Sequence, residues 1–302
     1  MLTEKEKSIG ADLIGIIDVG GGTRGIFGAG VFDRCMDMGI HFDFAAGVSA
    51  GSANCASYLA GQRGRNYVYY NEYAFRREYM SLHNFVRTGS YINLDYIYST
   101  LSNAGGEYPL DYHAMMENPA DLEIVTTDAL TGRPVYLHKK DIRENDYRFM
   151  KASCCVPGIN QPYRMEKPPH YDNGYPGPML CYDGGLSDPI PFRRALQAGC
   201  SRIAVILTRP KDEFRRASSD HRLARLIRRK YPAAADAWER RSAVYNNSLR
   251  ELLAMEKKGT ALIIAPDTIG DLKTLSQDHV QLDLLYKKGY EGAAALSAFV
   301  SG

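Results

Sequence analysis

The chain has 302 residues, of which 45% are hydrophobic and 24% are charged, and its net charge is +2. This composition is that of an ordinary globular protein with a sizeable core, and the small charge gives no reason to expect nucleic acid as a partner. No segment approaches the roughly 18 apolar residues of a membrane-spanning helix, and the charged start Met1–Lys7 lacks the apolar stretch of a signal peptide. The six cysteines follow no disulfide-framework or C-x-x-C spacing, which favours reduced thiols and a cytoplasmic location.

The first predicted unit consists of a strand, a glycine-rich loop and a helix. The apolar run Leu13–Ile17 is typical of a buried parallel strand, and the loop Asp18–Gly25 follows it. Apolar residues then recur at helical spacing from Ile26 until Gly39 ends the pattern.

The second predicted unit contains a G-x-S-x-G pattern, with Ser49 between Gly47 and Gly51. The segment His41–Ala45 before it predicts a strand, and Ala53–Ala60 after it predicts a helix. A serine on a sharp turn between a strand and a helix is a nucleophile elbow, in which strained backbone exposes the hydroxyl and flanking glycines let neighbouring backbone pass closely. Two successive strand–helix units predict a parallel sheet with right-handed crossovers.

The remaining chain predicts an insertion followed by more of the sheet. Residues 65–117 are rich in Tyr, Asn and charge without a clear strand, which indicates a cap or insertion of helices and loops. The density of Pro and Gly in residues 160–180 predicts a long surface loop. Further strands are predicted at 122–127, 135–137 (a hairpin with the preceding strand), 202–208 and 261–265, and helices at 145–153, 190–198, 219–258 and 277–299.

The loop Gly20–Gly25 admits four interpretations. It fits the dinucleotide fingerprint G-x-G-x-x-G, but Asp43, the acidic residue near the required distance, begins its strand instead of ending it. The stretch Asp18–Thr23 resembles the phosphate-binding turn of actin-like ATPases and sugar kinases, although that turn joins two strands and a helix is predicted here. A plain turn that uses glycine for positive φ is the third interpretation. In the fourth, exposed N–H groups of the loop bind the oxyanion of a reaction at Ser49, which alone explains why the loop precedes an elbow.

Ser49 needs a base to take its proton, and the sequence offers two kinds of candidate. In the order of the α/β hydrolases, the histidines that follow the later acidic candidates are His221 and His279, and neither has a motif around it. The other candidate is Asp183, because the two glycines after it allow another loop to approach closely. A turn initiated by Asp-Gly is the plain interpretation of the same residues.

These motifs together resemble those of the bacterial patatin-like phospholipases, which are serine acyl hydrolases with a Ser–Asp dyad. The three signatures of that family appear in order as Gly20-Gly21-Gly22-Thr23-Arg24-Gly25, Gly47-Val48-Ser49-Ala50-Gly51 and Asp183-Gly184-Gly185. Two lesser signatures are Thr127-Asp128 with Thr131-Gly132, and Ala152-Ser153 with Pro157. The resemblance runs from about residue 13 to 208. Plant patatins commonly carry Asn after the Asp-Gly-Gly, whereas this chain has Asp188-Pro189, which puts plant-type galactolipid specificity in doubt.

The resemblance implies a three-layer α/β/α fold with a mainly parallel central sheet. It implies one hydrolase domain over residues 1–302, with 65–117 as the insertion and 209–302 as a less well matched C-terminal part. The implied activity is that of a carboxylic ester hydrolase (EC 3.1.1 class) of the phospholipase A or lysophospholipase type, which needs no cofactor. A lipid-binding or regulatory module without catalysis is the alternative.

The resemblance also assigns roles to individual residues. It implies that Ser49 is the nucleophile, that Asp183 is the general base, and that backbone N–H groups of Gly21, Gly22 and Thr23 form the oxyanion hole. Arg24 is a candidate for attracting a substrate phosphate, with a structural salt bridge as the alternative. No calcium-binding loop of the D-x-[DN]-x-[DN]-G type exists, and no metal ligand is predicted.

The segment 209–230 is strongly basic, with nine Lys or Arg against three Asp or Glu. Within it Leu223, Leu226 and Ile227 form a narrow apolar stripe surrounded by arginines. One interpretation is an interfacial helix that makes transient contact with an anionic membrane, which would place a cytoplasmic protein peripherally at the membrane. The other is a solvated helix that docks three apolar residues on the core.

Overall fold

The computed structural model describes residues 12–302, apart from the side chains of residues 218 and 219. The prediction that Met1–Lys7 is not a signal peptide therefore concerns residues outside the described part. The strands are β1 (Ile14–Asp18), β2 (Phe44–Val48), β3 (Asp121–Asp128), β4 (Pro134–His138), β5 (Tyr163–Met165), β6 (Met179–Asp183), β7 (Arg202–Ile206) and β8 (Ala261–Ile264). The α-helices are α1 (Ile26–Asp37), α2 (Ala50–Leu59), α3 (Arg65–Asn71), α4 (Leu82–Thr88), α5 (Tyr112–Glu117), α6 (Arg148–Ser153), α7 (Phe192–Gln197), α8 (Ser218–Arg228), α9 (Pro232–Lys257), α10 (His279–Gly292) and α11 (Ala295–Ser301).

The strands form one mixed sheet in the order β5-β6-β3-β2-β1-β7-β8, with β4 paired to the other edge of β3. The five strands β3, β2, β1, β7 and β8 run parallel to one another, as the successive strand–helix units predict. The pairs β3–β4 and β3–β6 are antiparallel, and the first of them is the predicted hairpin. The prediction of a mainly parallel central sheet is therefore confirmed.

Helices cover both faces of the sheet, which makes the fold a three-layer α/β/α sandwich. Neighbouring residues of β1 show the two faces, because Ile16 belongs to one buried apolar cluster and Ile17 to another. The cluster around Ile16 includes apolar residues of α1, α2 and α10 and of the insertion 65–117. Helices α7 and α9 pack on the opposite face around Ile17, and a smaller cluster joins α8 to α9 through Trp238.

The insertion 65–117 consists of helices and loops, as predicted. It contains α3, α4 and α5, together with a π-helical turn at Tyr96–Leu101. It packs on the face that carries α1 and α2, and several of its residues line a cavity together with Ser49 and Ala50, where β2 meets α2.

The proline-rich stretch 160–180 differs from its prediction as one long loop. It contains the short strand β5, and β6 begins at Met179. Proline and glycine flank both strands, and β5 is only three residues long, so neither strand has an apolar run that stands out locally. Strand β6 pairs instead with β3, which lies more than 50 residues before it in the chain, and β5 pairs with β6.

The predicted C-terminal helices are each divided in two. Residues 219–258 form α8 and α9, because Pro232 cannot continue a helix and instead starts α9 at its first turn. Residues 277–299 form α10 and α11. Within residues 12–302, none of these helices or any other combines the length and apolar character that a membrane crossing requires.

Candidate active site

Ser49 lies on a strained turn between β2 and α2. Its backbone has φ 55° and ψ −131°, and it is one of two non-glycine residues with positive φ in the described chain. Such a conformation costs about 1–3 kcal/mol and persists only where its surroundings enforce it. Gly51 is part of that enforcement, since a Cβ there would lie 2.2 Å from the carbonyl oxygen of Asp18. The predicted elbow geometry is therefore confirmed.

The register of β3 brings Asp183 to Ser49. Val48, the last residue of β2, pairs with Val125, and Asp183, the last residue of β6, pairs with Thr126. Because β4 occupies the other edge of β3, β2 and β6 share one edge and meet end to end. The residue after Val48 is Ser49, so the hydroxyl and the carboxylate converge although they are far apart in the chain.

The Asp183 carboxylate is buried and hydrogen-bonded. It accepts a hydrogen bond from the amide of Gly185 at 2.8 Å, and the Ser49 side chain lies close enough to affect its pKa. Burial raises the pKa of Asp183 above its ordinary value, because water no longer solvates the charged form. The Ser49 hydroxyl, the positive charge of Arg241, the Gly185 amide and the charge of Arg215 act in the opposite direction. A carboxylate in this environment is a stronger proton acceptor than one in water.

Two further serines hold the elbow in place. The amide of Ser49 donates to the hydroxyl of Ser153 at 2.8 Å, and that hydroxyl donates in turn to the carbonyl oxygen of Val125 at 2.6 Å. The hydroxyl of Ser52 donates to the carbonyl oxygen of Ser49 at 2.6 Å. Both peptide groups of Ser49 are thereby fixed. Their role was not predicted, although Ser153 belongs to one of the lesser signatures.

The glycine-rich loop presents free amides beside the elbow. Gly20, Gly21 and Gly22 all have positive φ, and the amide of Gly20 donates to Asp18 at 2.8 Å. The amides of Gly21 and Gly22 donate no hydrogen bond to any of residues 12–302. The assignment of Thr23 requires correction, since its amide donates to the carbonyl oxygen of Thr274 at 2.8 Å and is not free.

The element that follows the glycine-rich loop rules out the interpretation of the loop as the hairpin turn of an actin-like ATPase. A short helical turn over Gly22–Gly25 leads directly into α1, so the loop does not join two strands of a hairpin as in the actin-like ATPases. On the other side of Ser49, α2 begins at Ala50, whose amide has no intrahelical partner. This additional donor was not predicted, although it is expected from the position of the nucleophile at a helix start.

A buried carboxylate joins the loop to the elbow helix. Asp18 is fully buried and accepts a second hydrogen bond from Asn54 of α2 at 2.7 Å. Burial raises the pKa of Asp18 to about 6 even though the hydrogen bonds from Asn54 and Gly20 act in the opposite direction. The hydroxyl of Tyr70, in the insertion, donates to the Asn54 side chain at 3.1 Å. Loop, elbow helix and insertion thus share one polar network.

Ser49 opens onto an apolar cavity beneath the insertion. The cavity is bounded by Gly22 and Thr23 on the loop side and by Ser49 and Ala50 at the elbow. Most of its remaining wall comes from the insertion, and the apolar lining includes Ile92, Leu94, Ile97, Tyr98, Val156 and Leu275. Ser49 therefore lies at the wall of a cavity whose lining is mainly apolar.

A second, more polar cavity contains Ser49 together with Asp183, Gly21 and Gly22. Arg24 contributes to its wall and is only 5% exposed. Burial and the neighbouring charges of Arg209 and Arg241 lower the pKa of Arg24 to about 10. Within residues 12–302 Arg24 makes no ion pair, so the structure does not contain the structural salt bridge that was the alternative role for this residue.

The candidate histidines lie elsewhere. His279 stacks on Phe75 with ring centroids 3.6 Å apart, and its Nδ1 lies 3.1 Å from the side-chain oxygen of Asn71. His221 is exposed and lies 3.7 Å from Glu239. Neither lines a cavity that contains Ser49. In the described part of the chain, no group of three or more His, Cys, Asp or Glu side chains is arranged to hold a metal ion.

Comparison with known proteins gives matches to two parts of the chain. The family model described as patatin-like phospholipase matches residues 19–196, which is more than half of the chain. A second model, described as a domain of unknown function (DUF6363), matches residues 231–298. The uncharacterized protein YjjU of Escherichia coli (strain K12) is 27% identical over 216 residues, which are 67% of this chain and 53% of that protein. The chain thus matches about half the length of that relative. The crystal structure of VipD from Legionella pneumophila superposes on 95% of this chain and 67% of that chain, with 15% identity and a TM-score of 0.48.

Proposed function

Because the chain belongs to the patatin-like phospholipase family, we propose that it is a carboxylic ester hydrolase that cleaves acyl esters of lipids through Ser49 and Asp183. The single observation that carries this proposal is the placement of Ser49, on a strained elbow, against the buried carboxylate of Asp183 in one cavity. The apolar cavity on the other side of Ser49 supports an acyl substrate of the phospholipase A or lysophospholipase type.

In the first half of the reaction, Asp183 accepts the hydroxyl proton of Ser49 while the serine oxygen attacks the ester carbonyl carbon. The carbonyl electron pair moves to its oxygen, and the free amides of Gly21 and Gly22 donate hydrogen bonds to that oxyanion. Each such donor contributes about 3–4 kcal/mol of transition-state stabilisation. The tetrahedral intermediate then collapses, the bond to the leaving alcohol breaks, and Asp183 returns the proton to the alcohol oxygen.

In the second half, water hydrolyses the acyl-enzyme. Asp183 takes a proton from the water as its oxygen attacks the acyl carbon, and the same amides hold the second oxyanion. Collapse releases the fatty acid, and the proton on Asp183 returns to the Ser49 oxygen. The two halves use the same base and the same donors, so the site needs no histidine, metal or cofactor for proton transfer.

The test is labelling with a fluorophosphonate probe combined with turnover of p-nitrophenyl esters and phospholipids of graded acyl length. We expect labelling of the unaltered protein, no labelling of Ser49→Ala, and no ester turnover by Asp183→Asn. The matched control is His279→Ala, which we expect to retain turnover. Loss of activity in His279→Ala with retention in Asp183→Asn would contradict the dyad. Absence of turnover for every ester would favour a non-catalytic lipid-binding or regulatory module.

We further propose that the mouth of the site makes transient contact with an anionic membrane surface through 209–230. Helix α8 lies at this mouth, because Leu223 lines the cavity that holds Ser49 and Asp183. The predicted apolar stripe is divided: Ile227 is buried against the core, whereas Leu223 and Leu226 are 39% and 69% exposed. Exposed arginines accompany these leucines, which is the composition of an interfacial helix.

Helix α4 also supports membrane contact at the mouth of the site. Its side chains Leu82, Phe85 and Val86 are all exposed, Val86 to 86%. The loop 156–161 connects the two helices, since Gly158 lies against Leu226 and the carbonyl of residue 159 accepts the amide of Tyr91, just beyond α4. Exposed apolar residues therefore stand on both sides of this loop. Such a surface would place the protein peripherally at the membrane, with a cytoplasmic location.

A further inference from the structure

Four arginines line the polar cavity beside Ser49 and Asp183. Arg24 comes from the glycine-rich loop, Arg209 and Arg215 from the segment between β7 and α8, and Arg241 from α9. We call these four residues the arginine cluster. Only Arg24 lies within residues 19–196, so three of the four guanidinium groups are supplied by the chain beyond the patatin-like match.

The charges of the arginine cluster are incompletely paired. Arg209 contacts Glu213 at 2.7 Å and Arg241 lies 3.9 Å from Asp220, whereas Arg24 and Arg215 make no ion pair within residues 12–302. The cavity is lined by these four arginines and by only two carboxylates, those of Asp183 and Asp220, while Glu213, which pairs with Arg209, lies outside this lining.

Hydrogen bonding in the cluster is incomplete as well. The buried Nε atoms of Arg24, Arg209, Arg215 and Arg241 have no partner among the described residues. Burial and the positive charge of Arg241 lower the pKa of Arg215 to about 9. A buried donor without a partner is destabilising, and more so if it is charged. Buried donors without partners are uncommon in native structures, and four of the six arginines whose Nε atoms are unpartnered in the described residues line this one cavity, where a ligand can complete the cluster.

The cluster is held in position by neighbouring groups. The guanidinium of Arg215 stacks on the ring of Tyr245, with its central carbon 4.4 Å from the ring centroid. Both backbone groups of Arg215 are fixed by one side chain, because its amide donates to Asn246 at 2.8 Å and its carbonyl accepts from Asn246 at 3.0 Å. Arg215 is therefore preorganised on α9, which reduces the entropy that binding would otherwise cost.

The cluster also lies next to the reacting groups. The guanidinium of Arg24 reaches to 3.6 Å from the Cβ position of Gly21, and that of Arg241 to 3.6 Å from the Cβ position of Gly185. An anion held between them lies beside both the oxyanion loop and the base. It can belong to the same molecule as an ester at Ser49 if a short linker joins the two groups.

We propose that the arginine cluster binds a phosphate monoester carried by the acyl substrate, so that the preferred substrate class is an acylglycerol phosphate. The forked guanidinium groups match phosphate oxygens in pairs, and a phosphate monoester brings a charge of about −1.5 to −2 at neutral pH. A phosphocholine headgroup is disfavoured, because it carries a single negative charge and would bring a cation against the arginines. This proposal rests on the proposed function, since the ester must be cleaved at Ser49.

The binding test uses the full chain with Ser49→Ala, so that nothing is hydrolysed. The probes are a short-chain 1-O-alkylglycerol phosphate, the same ether without phosphate, the corresponding phosphocholine ether, and inorganic phosphate. We expect the phosphate monoester to bind at least about tenfold more tightly than the other two ethers. Arg215→Gln or Arg241→Gln, each combined with Ser49→Ala, should remove this preference and leave the affinity for the neutral ether unchanged. The matched control is Arg216→Gln, which removes the same charge from the adjacent, exposed side chain and should change nothing.

Inorganic phosphate distinguishes a phosphate group carried by the acyl substrate from a free anion that binds as an effector. Competition by phosphate with the ether phosphate, reduced in Arg215→Gln, places the phosphate group itself in the cluster. Tight binding of free phosphate with no preference among the ethers would overturn the substrate assignment and leave a site for an anionic effector. Equal binding of all probes, or equal effects of Arg215→Gln and Arg216→Gln, would overturn the proposal altogether.

Turnover by the unaltered protein distinguishes failure of this proposal from failure of the proposed function. We expect kcat/KM for a lysophosphatidic acid to exceed that for the monoacylglycerol of equal chain length, and Arg215→Gln to remove the difference. Ser49-dependent turnover of both esters at equal rates would overturn the phosphate subsite alone. Absence of Ser49-dependent turnover with selective binding of the ether phosphate would overturn the hydrolase and retain the subsite.

Discussion

The amide of Ser49 donates a hydrogen bond of 2.8 Å to the hydroxyl of Ser153, 104 residues further along the chain. That hydroxyl donates its own proton to the carbonyl oxygen of Val125, the β3 residue that pairs with the end of β2. One buried serine thus joins the elbow to the strand that positions Asp183. The backbone conformation of Ser49, which is unfavourable in isolation, depends on this link.

Replacement of Ser153 by alanine should therefore affect both stability and turnover. It leaves the buried amide of Ser49 without its acceptor and removes the hydrogen bond to the carbonyl of Val125, and we expect the free energy of unfolding to fall by about 1–3 kcal/mol. Turnover should fall as well, because the nucleophile is less firmly held against Asp183. Urea denaturation and kcat for a p-nitrophenyl ester measure the two effects.

Ser248→Ala is the matched control for this prediction. Ser248 is also buried, but its hydroxyl has no hydrogen-bond partner among the described residues. Its removal should change the free energy of unfolding little and leave kcat unaltered. Equal losses in the two variants would show that burial of a serine, and not the link to Ser49, determines the result.

Much of this site could be predicted from sequence because its parts have local signatures. The elbow at Ser49 is indicated by glycine spacing between a strand and a helix, and Asp183 stands out by the two glycines after it. The parallel sheet is indicated by repeated strand–helix units. Each of these inferences uses residues within a window of about ten positions, where periodicity and turn chemistry are informative.

The remainder depends on contacts between distant residues, which leave no local pattern. The amide of Thr23 is taken by Thr274, which lies 251 residues away, so the free donors of the loop could not be counted from sequence. Strand β6 joins the sheet at the edge that β3 offers beyond the end of β2. Arg215 and Arg241 reach the cavity through the packing of the C-terminal part, and in the sequence they are ordinary members of charged segments.

Gly22 should be far less tolerant of alanine than another glycine with the same backbone conformation. Its φ is 64°, and a Cβ there would lie 2.0 Å from the carbonyl oxygen of Thr274, the acceptor of the Thr23 amide. We expect Gly22→Ala to displace the loop, to abolish turnover and to destabilise the fold. Gly39 has φ 63° with no atom within 4 Å of its Cβ position, so Gly39→Ala should cost only the strain of about 1–2 kcal/mol. The two variants are compared by thermal unfolding and by kcat/KM. Equal turnover in Gly22→Ala and Gly39→Ala would contradict a role for the loop amides.

The acid limb of the pH–rate profile should report Asp183. Catalysis requires the ionised carboxylate, and burial raises its pKa, so activity should be lost as the pH falls through a value above that of an ordinary aspartate. The charge of Arg241 opposes this shift. Arg241→Gln should therefore raise the pKa further and move the acid limb to higher pH, whereas Arg216→Gln should not. The measurement is kcat/KM against pH with a neutral p-nitrophenyl ester, so that phosphate binding plays no part. A limb that moves to lower pH in Arg241→Gln would contradict the assignment of the limb to Asp183.

Membrane contact should depend on the exposed apolar residues at the mouth and not on exposed apolar residues in general. Leu226 is 69% exposed on α8 beside basic side chains, so Leu226→Asp replaces a group that would enter the lipid interface with one that anionic lipid repels. We expect co-sedimentation with vesicles containing anionic lipid to fall severalfold, while turnover of a soluble short-chain ester stays unchanged. Leu196→Asp is the matched control, because Leu196 is 43% exposed near the end of α7, next to the start of β7, whereas Ser49 lies at the opposite end of the parallel strands. Because the attraction is electrostatic as well as apolar, binding of the unaltered protein should also decrease as the anionic lipid is replaced by neutral lipid. If the amount of protein that co-sediments with vesicles changes neither with the lipid charge nor in Leu226→Asp, this face does not contact the membrane.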